Sequence, residues 1–146
     1  MPKGPFIFDS HALLKFFQRE KGYEKVIHLL EEIKKAGAKK YLDAINLGEI
    51  IYSTKREFGD QKKIEVLANI ERLSFTVLPV PDNLIFQAAE YKAQYGISYA
   101  DCFVLASALI VKPYLICFKA FFVLNTSARF HCFAISKRYL AVSSSL

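Results

Sequence analysis

Asp101 is the only charged residue between Lys92 and Lys112, in the stretch Gly96-Ile-Ser-Tyr-Ala-Asp101-Cys-Phe-Val-Leu105. Asp9 directly follows Phe6-Ile7-Phe8, and Glu49 lies in Asn46-Leu-Gly-Glu49-Ile-Ile-Tyr52, where its neighbours are nearly all apolar. A single carboxylate in a low-dielectric place neutralises or is excluded. Two or three that converge repel one another, and a divalent cation is the usual remedy. Hard oxygen ligands with retained water suit Mg²⁺ or Mn²⁺. Such ions activate water and stabilise the charge of phosphoryl displacement. The chemistry these acids could do together is metal-assisted hydrolysis of a phosphate ester.

Each acid also has a purely structural account. An Asp between a strand and a helix is commonly an N-cap that accepts a backbone N–H, which suits Asp9. Glu49 shares a helix face with Asn46 at i,i+3 and could be a first-turn acid favoured by the helix dipole. Ser98-x-x-Asp101 fits the capping-box pattern, with Ser98 as cap and Asp101 reaching back. A cap needs no apolar surroundings, however, and Asp101 shares a face with Leu105 and Ala108. The three histidines form no triad pattern with a nucleophile and an orienting acid, so each reads as structural. His11 is the exception to test, because it starts the helix beside Asp9.

The elements that must position these residues alternate. Phe6–Phe8 reads as a strand, followed by helices over about 11–19 and 23–36, the second with Val26, Leu29, Leu30 and Ile33 at helical spacing and Gly37 as its stop. Residues 40–45 read as a strand running into the helix that carries Glu49. A further helix spans about 61–72, with Ile64, Leu67 and Ala68 on one face. Residues 75–80 form a strand, and Asp82 is a plausible N-cap for the next helix. After Gly96 comes the helix of Asp101, then a strand near 114–118. Strands separated by helices argue for an α/β fold, a three-layer α/β/α sandwich around a mainly parallel sheet. Function in such folds gathers beyond the carboxyl ends of the strands.

Bulk properties exclude several classes. A chain of 146 residues that is 53% apolar without low-complexity repeats is globular and long enough for one sizeable core. Cys102, Cys117 and Cys132, spaced by fifteen, suggest neither a disulfide framework nor a zinc site. No Gly-rich phosphate loop is present. The longest mainly apolar run, 102–111, is well short of the roughly 20 residues that span a bilayer. The opening residues do not read as a signal peptide, so the expected location is cytoplasmic. The +6 formal charge is uneven: up to Asp101 there are 15 Lys/Arg against 14 acids, and the last 45 residues hold five Lys/Arg and no acid. Lys55-Arg56 and Lys62-Lys63 are either a solvated helix end or an edge that contacts phosphates.

Taken in order, the strand ending in Asp9-Ser10, then Asn46-x-x-Glu49, then Ile97-Ser98-Tyr99-Ala100-Asp101 followed by Ala106 and Ala108 resembles the PIN domain. The resemblance covers roughly residues 5–118 and is nearest in length and spacing to the VapC-type toxins of prokaryotic toxin–antitoxin pairs. It implies cleavage of single-stranded RNA with Mg²⁺ or Mn²⁺, homodimerisation, and an antitoxin that blocks the active site. Asp9, Glu49 and Asp101 match the family's metal-binding acids. Asn46 and Ser98 match its supporting polar positions, with Ser10 beside them.

The chain departs from the family where a fourth acid is usual, after the next strand. Lys119 falls there, and no Asp or Glu follows it. Residues 1–118 therefore read as the PIN-like domain and 119–146 as an atypical basic segment. The segment reflects either a real loss of the acid or a change of reading frame near 111–119. Two functions compete: a metal-dependent endoribonuclease, and a catalytically impaired relative that binds RNA or a protein partner. A small-molecule phosphatase on a similar sheet is disfavoured, because the D-x-D that usually follows the first strand is absent.

Overall fold

The computed structural model describes residues 4–111, 114–117 and 133–134. The elements run β1 (Phe6–Phe8), α1 (Ser10–Gln18), α2 (Tyr23–Lys35), β2 (Lys40–Asp43), α3 (Ala44–Arg72), β3 (Phe75–Leu78), α4 (Asp82–Gln94), α5 (Tyr99–Val111), β4 (Tyr114–Cys117) and β5 (Phe133–Ala134). The sheet order is β3-β2-β1-β4-β5, with every neighbouring pair parallel. Chain order runs outward from β1 in one direction to β3 and then resumes on the other side at β4. This places the topological switch beside β1, where open parallel sheets form their crevice.

The pleat of β1 sorts the two faces. Phe6 and Phe8 join Leu42, α1 residues Ala12 and Leu13, α2 residues Val26, Leu30 and Ile33, and α3 residues Ile50, Val66 and Ile70 in the larger core. Ile7, between them, packs on Val104 and Ala108 of α5 on the other face. Helix α4 lies against α5 through Leu84 and Ala88, which meet Cys102, Phe103 and Ala106. The fold is the expected α/β/α arrangement. Because α5 is covered by the sheet on one side and α4 on another, it is apolar nearly all round, and Asp101 is buried in its first turn.

Several local expectations hold and others need correction. Gly37 ends α2 with φ +64°, and the N–H groups of Gly37 and Ala38 return to the carbonyls of Lys34 and Ile33, a Schellman closure that favours glycine. β2 stops at Asp43 rather than residue 45, because Asp43 caps α3 by accepting the Asn46 N–H at 2.9 Å. The two helices read over 46–52 and 61–72 are arms of α3, joined at Gly59 with φ 83° and ψ −177°. The second arm buries Val66 and Ile70 and leaves Ile64 exposed, so its inward face is turned from the one expected. Pro81, not Asp82, occupies the cap position of α4, and Asp82 lies in the first turn. The Lys55–Lys63 cluster is a solvated surface around the Gly59 break. Lys55 and Lys63 both pair with Asp60, and Lys62 pairs with Glu65. Lys119 and the segment 119–146, apart from the backbone of 133–134, lie outside the described residues.

Candidate metal centre

Asp9 ends β1 and begins α1, its Oδ1 accepting the Ala12 N–H at 2.7 Å. The capping account of Asp9 is therefore correct, but it does not exhaust the residue. A carboxylate oxygen of Asp9, one of Asp101 and a ring nitrogen of His11 all lie within 4.8 Å of one another. Asp9 is fully buried and Asp101 is 2% exposed. At an effective dielectric constant of about 20, two unit charges at that spacing repel by about 3 kcal/mol, which favours a cation between them.

Asp101 decides between its two sequence accounts. Ser98 does cap α5, its Oγ accepting the Asp101 N–H at 3.1 Å. The returning half of the capping box does not form: Asp101 Oδ1 is buried and has no hydrogen-bond partner among the described residues. A buried, unpartnered carboxylate oxygen beside a second acid is the donor that a divalent cation takes up. The residues fit a metal.

Asn46 holds the first turns of three helices together. It is fully buried, and its Oδ1 accepts the Ser10 N–H at 2.9 Å. Its Nδ2 donates to Asp43 Oδ2 at 2.8 Å and to the Ala100 carbonyl at 3.0 Å. One side chain thus links the starts of α1, α3 and α5, the elements that carry Asp9, its own cap and Asp101. Their N-terminal dipole ends add positive potential around the acids. Burial pushes the Asp43 carboxyl above the usual aspartate range, with the Asn46 hydrogen bonds pulling the other way.

Glu49, on α3, is tied to the start of α1. It is half-buried, and its Oε2 accepts a hydrogen bond from Ser10 Oγ. It does not belong to the Asp9–His11–Asp101 group. It faces an open groove of about 520 Å³ lined by Ile45, Gly48, Glu49, Tyr52, Ser98 and Tyr99 among others. Tyr52 and Tyr99 are 53% and 44% exposed there, and the Arg56 guanidinium sits 5.7 Å from the Tyr52 ring. Sequence reasoning singled out five polar positions of this region in addition to Ser10, and missed one feature. Asp43 was read as strand interior, although a strand-ending Asp three residues before an Asn carries a cap signal. His11, the histidine singled out by sequence as the exception to test, lies with Asp9 and Asp101. Cys102 is a buried free thiol between α4 and α5, its pKa raised by burial, and it takes no part in the site.

The parallel sheet between helical layers, with one buried carboxylate after β1 and a second in the first turn of α5, defines the class of protein. The PIN domain model matches residues 6–116, so this chain belongs to the PIN domain family. Among solved structures it is similar to the VapBC2 complex of Rickettsia felis bound to a promoter DNA fragment, with 13% identity, 78% of this chain and 87% of that chain covered, and a TM-score of 0.65. It is also similar to VapC20 of Mycobacterium tuberculosis, a sarcin-ricin-loop-cleaving toxin, at 14% identity over 77% and 87% of the two chains with a TM-score of 0.58. The DNA-bound FitAB structure shares 18% identity over 89% of this chain and 94% of that one, with a TM-score of 0.60. No curated protein matches the sequence. Among the described residues no helix is long and apolar enough to cross a membrane.

Proposed function

We propose that the protein is a divalent-cation-dependent endoribonuclease that cuts single-stranded RNA and serves as the toxin of a toxin–antitoxin pair. The observation that carries this reading is the buried Asp101 Oδ1, unpartnered among the described residues, in a cluster with Asp9. Asp9 and Asp101 hold the ion, Mg²⁺ or Mn²⁺, and Glu49 faces the groove where it orients the attacking water. A bound cation would neutralise the carboxylate pair and stabilise the charge that develops on the phosphate. Ser10 fixes the Glu49 carboxylate, and Asn46 fixes the spacing of the helices behind it. Ser98 holds the α5 terminus so that Asp101 stays turned inward. Tyr52 and Tyr99 offer two exposed faces on which unpaired bases can stack, which favours a single-stranded substrate.

The toxin reading draws on the similarity to VapC-containing complexes, and it brings an antitoxin partner, a homodimer and a cytoplasmic location with it. Exposed Phe86, Phe58 and Ile64 supply apolar surface for such contacts. The nuclease is assigned to residues 1–118, with 119–146 as an atypical tail. A second reading, an impaired PIN protein that binds RNA or a partner without cutting, is favoured by Lys119 at the fourth acidic position. The test is cleavage of a single-stranded RNA by the full chain with Mn²⁺, with chelator, and in Asp101→Asn. Loss of cleavage in the last two supports the nuclease. Cleavage that survives Asp101→Asn removes the site assignment, and RNA binding without cleavage selects the second reading.

A further inference from the structure

His11 brings nitrogen into a centre otherwise built from oxygen, and the following inference rests on the proposed cation site. The second residue of α1 is placed by fixed points on both sides: the Asp9 cap bond to Ala12 and the Asn46 bond to the Ser10 N–H. A ring nitrogen of His11 lies within 4.8 Å of carboxylate oxygens from both Asp9 and Asp101. Its Nδ1 is buried and has no hydrogen-bond partner among the described residues. A histidine kept only for packing would ordinarily bond its buried nitrogen to a carbonyl or carboxylate. Among the described residues this buried nitrogen and Asp101 Oδ1 are both unpartnered, and their side chains belong to the same cluster.

We propose that His11 is a ligand of the cation held by Asp9 and Asp101, and that it biases the centre toward transition-metal ions over Mg²⁺. Mg²⁺ favours an all-oxygen shell and keeps much of its water, whereas imidazole is a better donor to later first-row ions. Affinity should therefore rise from Mn²⁺ to Co²⁺ and exceed that for Mg²⁺. Removing an outer-sphere partner of a metal ligand already costs about 10–100-fold in affinity, so removing a direct ligand should cost at least about tenfold.

The experiment titrates the full chain calorimetrically with MnCl₂, CoCl₂ and MgCl₂, in wild type, His11→Ala, His11→Asn and Asp101→Asn. Co²⁺ visible absorption serves as a second readout of the ligand set. The expected result is a loss of about tenfold or more in Co²⁺ affinity in His11→Ala, with Mg²⁺ affinity little changed. His11→Asn, which replaces nitrogen by oxygen at similar size, should narrow the Co²⁺-to-Mg²⁺ ratio. Equal ratios in wild type and both His11 variants, with binding still lost in Asp101→Asn, would overturn the His11 ligand and leave the cation site standing. Failure of wild type to bind any of the three ions would overturn both. Pulsed electron paramagnetic resonance of Mn²⁺-loaded wild type needs no variant to fold. Histidine nitrogen coupling supports the proposal, and its absence overturns it.

Discussion

Replacing Asn46 by Ala should destabilise the protein more than any other single polar substitution at the site. The substitution removes three side-chain hydrogen bonds, to the Ser10 N–H, Asp43 Oδ2 and the Ala100 carbonyl. Ser10 and Asp43 are fully buried, while Ala100 is only partly so and can recover a bond from water. Each buried group left unpaired costs about 1–3 kcal/mol, and more where it is charged. Two such groups and a partly compensated third give about 3–5 kcal/mol, a large share of the 5–15 kcal/mol that typically holds a domain folded. At about 2–4 °C per kcal/mol for a chain approaching 150 residues, the melting temperature should fall by about 10 °C. Asn46→Asp sharpens the test. It retains the acceptor for Ser10 but turns a carboxylate oxygen toward Asp43 and the Ala100 carbonyl. At neutral pH it should be worse than Ala, and it should recover in acid, where a protonated carboxyl can again donate. The assay is urea unfolding of the full chain in chelator, followed by far-ultraviolet circular dichroism. A loss below about 1 kcal/mol for Asn46→Ala, or a milder Asp than Ala variant at neutral pH, would refute the claim that this side chain braces three helix starts.

Two further outcomes follow from the same geometry. Because burial raises the Asp43 pKa above its ordinary 3.8, the folded state binds that proton more tightly than the unfolded chain. The contribution of Asp43 to stability is then complete below the ordinary value and is lost as pH rises through the folded value. The stability of wild type relative to Asp43→Asn should thus decline with rising pH across that window in urea titrations at several pH values, and an opposite slope would refute the sign. Ser98→Ala removes a cap from α5 at an exposed position and should cost about 0.5–1 kcal/mol, visible as a small shift in the urea midpoint. A cost above about 2 kcal/mol would mean Ser98 does more than cap.

Much of this fold was legible in the order of its residues. Short apolar runs ending in polar residues marked β1 and β3, and helical spacing with a terminal glycine marked α2. The boundaries that failed did so where a side chain, not a propensity, sets the end. Asp43 terminates β2 by capping the next helix, and Pro81 takes the position expected of Asp82. The inward face of the second arm of α3 was misread because the turn at Gly59 resets the helical phase, which a run of residues does not reveal.

The site divides in the same way. Residue types and spacing identified Asp9, Asn46, Glu49, Ser98 and Asp101 as the polar residues to explain, and the family resemblance marked Lys119 as a departure. Only the tertiary structure decided which of them meet. It brought Asp9 and Asp101 together across 92 positions of chain, tied Glu49 to Ser10, and placed His11, which the sequence offered only as a histidine to test, within the same cluster. A sequence specifies which groups are available, because hydrophobicity and capping are local properties. Whether a carboxylate finishes as a cap, a surface charge or a buried oxygen without a partner depends on what the rest of the chain packs against it.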